Sequence, residues 1–219
     1  MFTGIIRHIG KIVKIDNTTI AESRNHPRLT ELTISCPAVA SKRRKGDSIS
    51  IDGVCLTITK TNHDSFTVQI IPETLSRTII STYQLYQTVN IETPLKLQDE
   101  LHGHLVLGHV DFVGTVTSIQ KDKSSKTLQI SFPLNQANYL AFKGSVTVNG
   151  VSLTISLLNH DSFEVSLIPA TLASTNLNNL KIGSPVNIEI DMIARYLDSL
   201  LKEKAKESTY SFLKERNLI

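Results

Sequence analysis

The sequence predicts an all-β protein made of two copies of one domain and followed by a C-terminal helix. Three observations support this fold class. The second half of the chain repeats the first, apolar and polar residues alternate within each half, and a helical spacing begins only after the second copy ends. With 219 residues, the chain is long enough for two domains of about 100 residues each.

The internal repeat keeps its register over most of each half. An offset of 97 residues relates the two copies in four stretches, which pair residues 53–59 with 150–156, 62–66 with 159–163, 71–75 with 168–172 and 89–92 with 186–189. Upstream the offset is 104, and residues 4–10 then align with residues 108–114. The sequence therefore predicts two homologous domains that meet near residue 104.

Strand-like alternation fills each copy. Polar and apolar residues alternate over residues 48–51, 56–59 and 66–70, as in strands with one buried face. The dipeptides Asp52-Gly53 and Asn149-Gly150 are typical of two-residue type I′ turns, which join neighbouring antiparallel strands. Short strands with a turn about every ten residues predict an antiparallel barrel or sandwich.

The C-terminal segment has no counterpart at the end of the first copy. Its apolar residues recur every three or four positions, which predicts one amphipathic helix. They are Met192, Ile193, Tyr196, Leu197, Leu200 and Leu201. This stripe packs either against another subunit or back onto its own barrel, and the sequence leaves both alternatives open.

Composition and charge argue against several classes of protein. The net charge of +3 is small and dispersed, so nucleic acid is not an expected partner. No apolar run approaches the length of a membrane span, and the N-terminus lacks the apolar stretch of a signal peptide. Two cysteines, Cys36 and Cys55, make no plausible disulfide framework. We therefore expect a cytoplasmic protein without a membrane partner.

The chain opens with Met1-Phe2-Thr3-Gly4-Ile5-Ile6, and the segment at residues 53–57 recurs at residues 150–154. The opening resembles the N-terminal signature of the riboflavin synthase family, and the recurring segment resembles the paired lumazine-binding motifs of that family. Gly103-His104 is followed by Gly108-His109, and residues 187–191 also match. Each motif alone is weak, but all of them occur in order and together cover nearly the whole chain.

The resemblance implies two homologous six-stranded antiparallel Greek-key β-barrels that arose by internal duplication. It places the N-terminal barrel at residues 1–104, the C-terminal barrel at residues 105–189 and an oligomerisation helix at residues 190–219. Members of the family form homotrimers through this helix. Each active site then forms where the N-terminal barrel of one subunit faces the C-terminal barrel of the next.

The implied activity is that of a transferase that completes riboflavin biosynthesis. Two molecules of 6,7-dimethyl-8-ribityllumazine exchange a four-carbon unit and give riboflavin and 5-amino-6-ribitylaminouracil. The resemblance implies no cofactor and no metal, and it makes lumazine synthase a candidate partner. Because donor and acceptor are the same molecule, two similar pockets suit the reaction, and holding the rings together makes the step effectively intramolecular.

By the same resemblance, four polar residues carry the chemistry, and they are Cys55, His109, Ser152 and Asp191. The residues expected to bind the two lumazines come from both copies. They are Gly4, Ile5, Ile6, Ser48, Cys55, Leu56, Thr57, Gln69, Ile70, Ile71, Pro72, Glu73, Thr74, Gly108, His109, Val110, Lys143, Ser152, Leu153, Thr154, Ser166, Leu167, Ile168, Pro169, Ala170 and Thr171.

Some of these assignments have a structural alternative. Cys55 is either a nucleophile or a small buried hydrophobe in a strand. Thr57 and Thr154 either hydrogen-bond the ring or are ordinary strand threonines, and Lys143 either contacts the ligand or only forms a turn. His109 is the candidate for proton transfer, because imidazole titrates near neutral pH.

The two copies differ at polar positions of the expected site. Cys55 aligns with Ser152, and His109 aligns with Ile5, so two similar pockets can give identical ligands different fates. A zinc site built from the nearby histidines is not expected. On a strand His109 is out of phase with the two preceding histidines, His102 and His104, and no cysteine lies close by in sequence.

Three departures from the family pattern stand out. Asp52 and Asn149 exchange the asparagine and aspartate usual in the two turns, so the place of that charge is in question. Leu107 replaces a common serine, and Thr93-Pro94 replaces a more usual Arg-Ala. None of these changes removes a residue assigned to catalysis.

Two rival functions share this kind of barrel. A non-catalytic lumazine- or flavin-binding antenna protein of the same fold would be expected to have lost polar site residues from one half, whereas this chain keeps them in both. The flavin-binding barrel of a reductase would normally be joined to a nicotinamide domain, for which the 219 residues leave no segment.

Overall fold

The computed structural model describes residues 1–18, 29–122 and 125–215, and it contains two closed β-barrels of six antiparallel strands. The first barrel comprises β1 (His8–Thr18), β2 (Leu29–Ser35), β3 (Ser48–Ile51), β4 (Val54–Thr61), β5 (Ser65–Ile70) and β6 (Thr88–Glu92). The second comprises β7 (Phe112–Lys121), β8 (Lys126–Ser131), β9 (Ser145–Val148), β10 (Val151–Leu158), β11 (Ser162–Leu167) and β12 (Pro185–Ile190). The predicted fold class is confirmed.

Four α-helices accompany these strands in the described residues. Three are short and lie between strands: α1 (Pro37–Ala40), α2 (Pro72–Arg77) and α3 (Pro169–Ser174). The fourth, α4 (Met192–Glu215), follows the second barrel, and residues 216–219 of the predicted helical segment lie outside the described residues. Single 3₁₀ turns occur at Ile79–Thr82, Leu134–Tyr139 and Asn176–Asn179. None of these helices combines the length and apolar character needed to cross a membrane.

Both barrels have the same Greek-key strand order. Around the first barrel the order is β1-β2-β5-β4-β3-β6, and the second has the equivalent order β7-β8-β11-β10-β9-β12. The hairpins β3-β4-β5 are consecutive, while β6 returns to lie beside β3, which is the defining connection of a Greek key. The residues from 93 to 111 join the barrels, and the division at residue 104 stays a prediction.

Two-residue turns fix the register of the central hairpins. Asp52 and Gly53 have φ angles of 45° and 81°, and Asn149 and Gly150 have 47° and 76°. Positive φ at both positions is the requirement of a type I′ turn, so this prediction is confirmed. These glycines also have no room for a side chain, because a methyl group on Gly53 would lie 2.7 Å from the backbone nitrogen of Gly150.

The two turns meet at a seam between the barrels, and buried polar side chains connect them. The Asn90 amide donates to the Asn149 carbonyl at 2.9 Å, and its counterpart Asn187 donates to the Asp52 carbonyl at 2.9 Å. The Asp52 carboxylate accepts from the backbone of Asn90 at 2.7 Å and from Asn176 and Tyr83 at 2.8 and 2.7 Å. Asp52 is fully buried, so its charge lies in this seam.

Exchange of Asp52 for asparagine is expected to flatten the pH dependence of stability. Burial raises the pKa of Asp52 from 3.8 to about 7, against the opposing effect of its three hydrogen-bond donors. The folded protein therefore holds this proton more tightly than the unfolded chain. The stabilising contribution is full below pH 4 and is lost as pH rises toward 7, at about 1 kcal/mol per pH unit.

Urea unfolding of the wild-type chain and of Asp52→Asn between pH 4 and pH 8 measures this effect. The difference in unfolding free energy, variant minus wild type, should rise from pH 4 to about 7 and then level off. Parallel stability profiles for the two proteins would contradict the assignment of a raised pKa to Asp52.

Helix α4 is fastened to the second barrel near its start and exposes the predicted apolar stripe. Arg195 donates to both carboxylate oxygens of Asp111 at 2.8 and 2.9 Å, and Tyr139 donates to Asp198 at 2.9 Å. Ala194 packs against the core of this barrel. Five apolar side chains of the helix are more than half exposed, and they are Ile193, Tyr196, Leu197, Leu200 and Leu201. Folding back onto the barrel therefore leaves most of the stripe uncovered.

Candidate functional site

Two short segments cross between the barrels and bring the motifs of one copy to the other. Residues near the N-terminus pair with the connecting segment, where Phe2 and Val106 exchange backbone hydrogen bonds at 2.7 and 3.1 Å. Beyond this point Ile6 is buried in the core of the second barrel, while Val110 packs against the core of the first. Each barrel is thus completed by a segment that precedes the other.

The connecting segment that contains Gly108 crosses to the first barrel and forms a site around Cys55. The backbone nitrogen of Cys55 donates to the carbonyl of Gly108 at 2.8 Å. A methyl group on Gly108 would lie 2.6 Å from Cβ of Cys55, so only glycine permits this approach. The Ser48 side chain lies close enough to the Cys55 thiol to lower its pKa, and Ser48 pairs with Thr57 across β3 and β4. The structure therefore brings together four residues of the predicted site.

The N-terminal segment that contains Gly4 crosses to the second barrel and forms an equivalent site around Ser152. The backbone nitrogen of Ser152 donates to the carbonyl of Gly4 at 2.8 Å, and a methyl group on Gly4 would lie 2.6 Å from Cβ of Ser152. The side chain of Ser152 is half-buried, and its hydroxyl lies 2.8 Å from Nδ1 of His104. This contact gives the second site a pair of polar groups suited to proton transfer.

His104 is a candidate functional residue that the sequence interpretation did not assign. Burial lowers the pKa of its imidazole below 6.5, and the nearby Asp191 carboxylate opposes this with a smaller effect. The ring is therefore mostly neutral at pH 7 and can accept a proton from the Ser152 hydroxyl. Its place in the Gly103-His104 motif was a usable signal, but comparison of the copies passes over it because the first copy has no residue at this position.

In each closed barrel, the pairing between two neighbouring strands ends early, beside the site. Pairing of β4 with β5 runs from Thr61 and Phe66 only to Ile58 and Val68, and pairing of β10 with β11 ends correspondingly at Ile155 and Val165. The predicted ligand-binding stretches 69–74 and 166–171 begin immediately beyond these last pairs. Gln69 and Ile70 still pair with β2, and Ser166 and Leu167 with β8, but β4 and β10 no longer pair with these stretches, so backbone groups on that side can face a ligand.

Several predicted binding residues can contribute only their backbone. The side chains of Ile70 and Leu167 are fully buried in the two cores, and those of Ile6 and Leu56 are 6% and 7% exposed. Others present their side chains to solvent. The exposed members are Thr57, Gln69, Ile71, Pro72, Glu73, Thr154, Ser166, Ile168, Pro169 and Ala170, and Ile5, Thr74, Leu153 and Thr171 are half-buried.

The remaining predicted residues occupy distinct positions. His109 is exposed beside the first site. Asp191 begins helix α4, where its carboxylate accepts from the backbone nitrogen of Ile193 at 3.0 Å, and it also lies near His104. Lys143 is in a turn with a φ angle of 65° and donates its backbone nitrogen to the carbonyl of Ile155, one residue beyond Thr154.

The state of Cys55 argues against a reactive thiolate. Burial raises the pKa of its thiol above 9.0, and the Glu189 carboxylate adds to this effect, while the N-terminal amino group and Ser48 oppose it. Cys55 is therefore a protonated thiol at neutral pH, able to donate a hydrogen bond. Its assignment to the chemistry remains a prediction, and so do those of His109, Ser152 and Asp191.

Comparisons with known proteins agree with this geometry. A family model described as the lumazine binding domain matches twice, at residues 3–94 and 107–191. The riboflavin synthase of Photobacterium leiognathi is 38% identical over 212 residues, which cover 95% of this chain and 92% of that protein. The riboflavin synthase of Bacillus subtilis (strain 168) is 36% identical over 221 residues, covering 98% and 99%.

The chain belongs to the riboflavin synthase family. Solved structures give the same fold at lower identity. The crystal structure of LumP complexed with riboflavin has a TM-score of 0.76 at 24% identity, covering 87% of this chain and 99% of that chain. The complex of LumP with 6,7-dimethyl-8-(1'-D-ribityl) lumazine has a TM-score of 0.74 at 24% identity, with the same coverage. The predicted family is thus confirmed on nearly the full length of the chain.

Proposed function

We propose that this chain is a riboflavin synthase, a transferase that moves a four-carbon unit between two molecules of 6,7-dimethyl-8-ribityllumazine without a cofactor. The observation that carries the proposal is the pair of equivalent sites with unequal polar groups. Cys55 and His109 accompany the first site, and Ser152 and His104 accompany the second. Two similar pockets bind the same molecule, and the different groups assign different fates to the two bound rings.

The chemistry requires one ring to lose a proton from its 7-methyl group and the other to be activated at a ring carbon. The pair of Ser152 and neutral His104 supplies a general base, because the imidazole can accept a proton through the serine hydroxyl. The Cys55 thiol and the His109 imidazole supply donors at the other site. Binding the rings face to face contributes several kcal/mol more by orienting them.

The complete active site is assembled between subunits in this proposal. The exposed apolar face of α4 packs around a shared axis in a homotrimer, and the N-terminal barrel of one subunit then faces the C-terminal barrel of the next. We place the protein in the cytoplasm, with lumazine synthase as a candidate partner. The domain boundaries at residues 104 and 189 belong to the same proposal.

The test is a direct assay of the purified chain with 6,7-dimethyl-8-ribityllumazine, in the absence of nicotinamide and with a chelator present. Absorbance and fluorescence should show two lumazines consumed for each riboflavin formed, at a rate that the chelator does not change. Stoichiometric binding without conversion would instead identify a non-catalytic antenna protein. The polar groups kept at both sites favour the enzyme.

A further inference from the structure

Two buried glutamates hold the crossing segments in place. Glu189, at 2% exposure, lies near the end of β12 and accepts hydrogen bonds from three consecutive backbone nitrogens: those of Leu107 at 2.7 Å, Gly108 at 2.8 Å and His109 at 3.0 Å. Each of these bonds reaches from the second barrel to the segment that completes the first. Glu189 therefore fixes the main chain that approaches Cys55.

Glu92 has the same role in the first copy. Its carboxylate, on a residue with 6% exposure, accepts from the backbone nitrogen and the hydroxyl of Thr3, both at 2.7 Å, and from the backbone nitrogen of Gly4 at 3.0 Å. Glu92 and Glu189 are related by the same offset of 97 residues as Cys55 and Ser152. The buried glutamate that holds a crossing segment is therefore part of the repeated unit.

Such carboxylates are costly to bury unless donors surround them. Burial raises the pKa of both groups, and the backbone hydrogen bonds oppose that rise. Within the described part of the chain, neither carboxylate has an ion pair with lysine, arginine or histidine, so backbone donors are their main compensation. A change in either carboxylate would release several backbone donors together and with them the segment.

The segments tolerate little displacement. Gly108 and Gly4 each accept one hydrogen bond of 2.8 Å from the barrel they complete, and each lies too close to that barrel for a methyl group. Since a hydrogen bond weakens within a few tenths of an ångström, the placement of these glycines depends on the carboxylates behind them.

We propose that Glu189 and Glu92 are positioning residues that act across the barrels: Glu189 on the Cys55 site of the first barrel and Glu92 on the Ser152 site of the second. The proposal rests on the proposed function for its ligand. It predicts that a substitution in either barrel damages the pocket of the other one. A merely structural role would damage the barrel that contains the substitution.

The first experiment needs no ligand. Alkylation of Cys55 by iodoacetamide, followed by mass spectrometry, is measured against pH in the wild-type chain, Glu189→Gln and Glu92→Gln. Loss of the nearby negative charge and of close packing by Gly108 lowers the pKa of Cys55 in Glu189→Gln. Alkylation at pH 7 should therefore be at least about threefold faster than in wild type. Glu92→Gln should not speed the alkylation, because release of the N-terminal segment can only reduce the effect of the amino group that lowers the Cys55 pKa, and buried Cys36 serves as the reference in every sample.

The second experiment measures binding of 6,7-dimethyl-8-ribityllumazine and turnover in the same variants. Bound lumazine should protect Cys55 from alkylation in the wild type and in Glu92→Gln, but about tenfold more ligand should be needed in Glu189→Gln. Each variant should keep one of its two sites at wild-type affinity while kcat falls at least tenfold. Glu100→Gln, at an exposed carboxylate that pairs only with exposed His102, is the control and should behave as wild type.

The outcomes separate the two proposals. Equal weakening of both sites in either glutamine variant, or loss of Cys55 protection in Glu92→Gln alone, would overturn the positioning role. A variant that fails to fold would lose both sites, so retention of the second site is the internal control for folding, and Glu189→Asp, which keeps the charge, should recover part of the lost affinity. Absence of riboflavin formation by the wild type would refute the enzyme proposal and leave the alkylation result valid.

Discussion

Replacement of His104 by alanine is expected to lower kcat for riboflavin formation by about 10²- to 10⁴-fold, the usual contribution of general acid–base catalysis. His104 lies 2.8 Å from the Ser152 hydroxyl and is the neutral imidazole of the second site. Lumazine binding should change much less, because the barrel and the crossing segments remain in place. Steady-state kinetics and fluorescence titration on the same preparation separate the two effects.

Several controls sharpen this expectation. Ser152→Ala should be similarly slow, and the double variant should be no slower than the worse single variant, because the two groups act as one unit. The wild-type rate should fall as the pH drops through the lowered pKa of His104, and the alanine variant should lack that fall. His102 is exposed and pairs with Glu100, so His102→Ala should behave as wild type. Near-normal turnover by His104→Ala would refute the assignment.

Removal of the chain after Asp191 is expected to produce folded barrels that bind lumazine yet turn it over at least about 100-fold more slowly. The deletion removes the exposed apolar face of α4, on which the proposed trimer depends. Without a neighbouring subunit the two rings are no longer held together, and the advantage of an intramolecular step is lost. Light scattering, ligand binding and turnover should all be measured on the same truncated protein.

A substitution variant separates loss of the apolar face of α4 from loss of the contacts that hold α4 to the barrel. The truncation also removes Arg195 and Asp198, which fasten the helix to Asp111 and Tyr139. The double substitution Leu197→Glu and Leu200→Glu keeps those contacts and charges only the exposed face. It should dissociate the assembly and slow turnover to the same extent as the truncation. A fully active monomer in either case would mean that both pockets meet within one chain.

The repeated architecture could be predicted because its signals are local. The Asp52-Gly53 turn and its copy specify a hairpin by backbone geometry alone, and the alternation around them specifies the buried face of each strand. An offset that persists over both halves predicts that the same barrel forms twice. These elements follow from short-range preferences, which one sequence is sufficient to show.

The arrangement of the site could not be predicted in the same way. Gly4 and Gly108 align with each other in the repeat, but alignment does not tell which barrel a segment will join, because both barrels offer an equivalent groove. His104 has no counterpart in the first copy. The sequence shows that Asp52 stands where an asparagine is usual, but it does not show the hydrogen-bond partners of Asp52. These partners lie 31 to 124 positions away along the chain. Contacts of this kind are decided by packing between domains.

The contacts of the seam are the same from both sides, as in the interface of a two-fold symmetric dimer. Asn90 donates to the Asn149 carbonyl and Asn187 to the Asp52 carbonyl in equivalent positions, and Gly53 and Gly150 approach each other in the same way from both sides. Contacts that are the same from both sides are those that an isologous dimer of one repeat requires, with each copy giving its first residues to the other. Tandem fusion turns that exchange into one continuous chain.

Fusion into one chain also removes a constraint of a symmetric dimer, in which both partners must have the same residue at each position. A dimer of one repeat would set two copies of the same turn residue against each other, and two aspartates there would bring like charges together in a buried interface. The fused chain has Asp52 on one side and Asn149 on the other, with Tyr83 where the second half has Leu180. In one continuous chain the two halves can therefore differ at single residues, as they do at Asp52 and Asn149 in the seam and at Cys55 and Ser152 in the two sites.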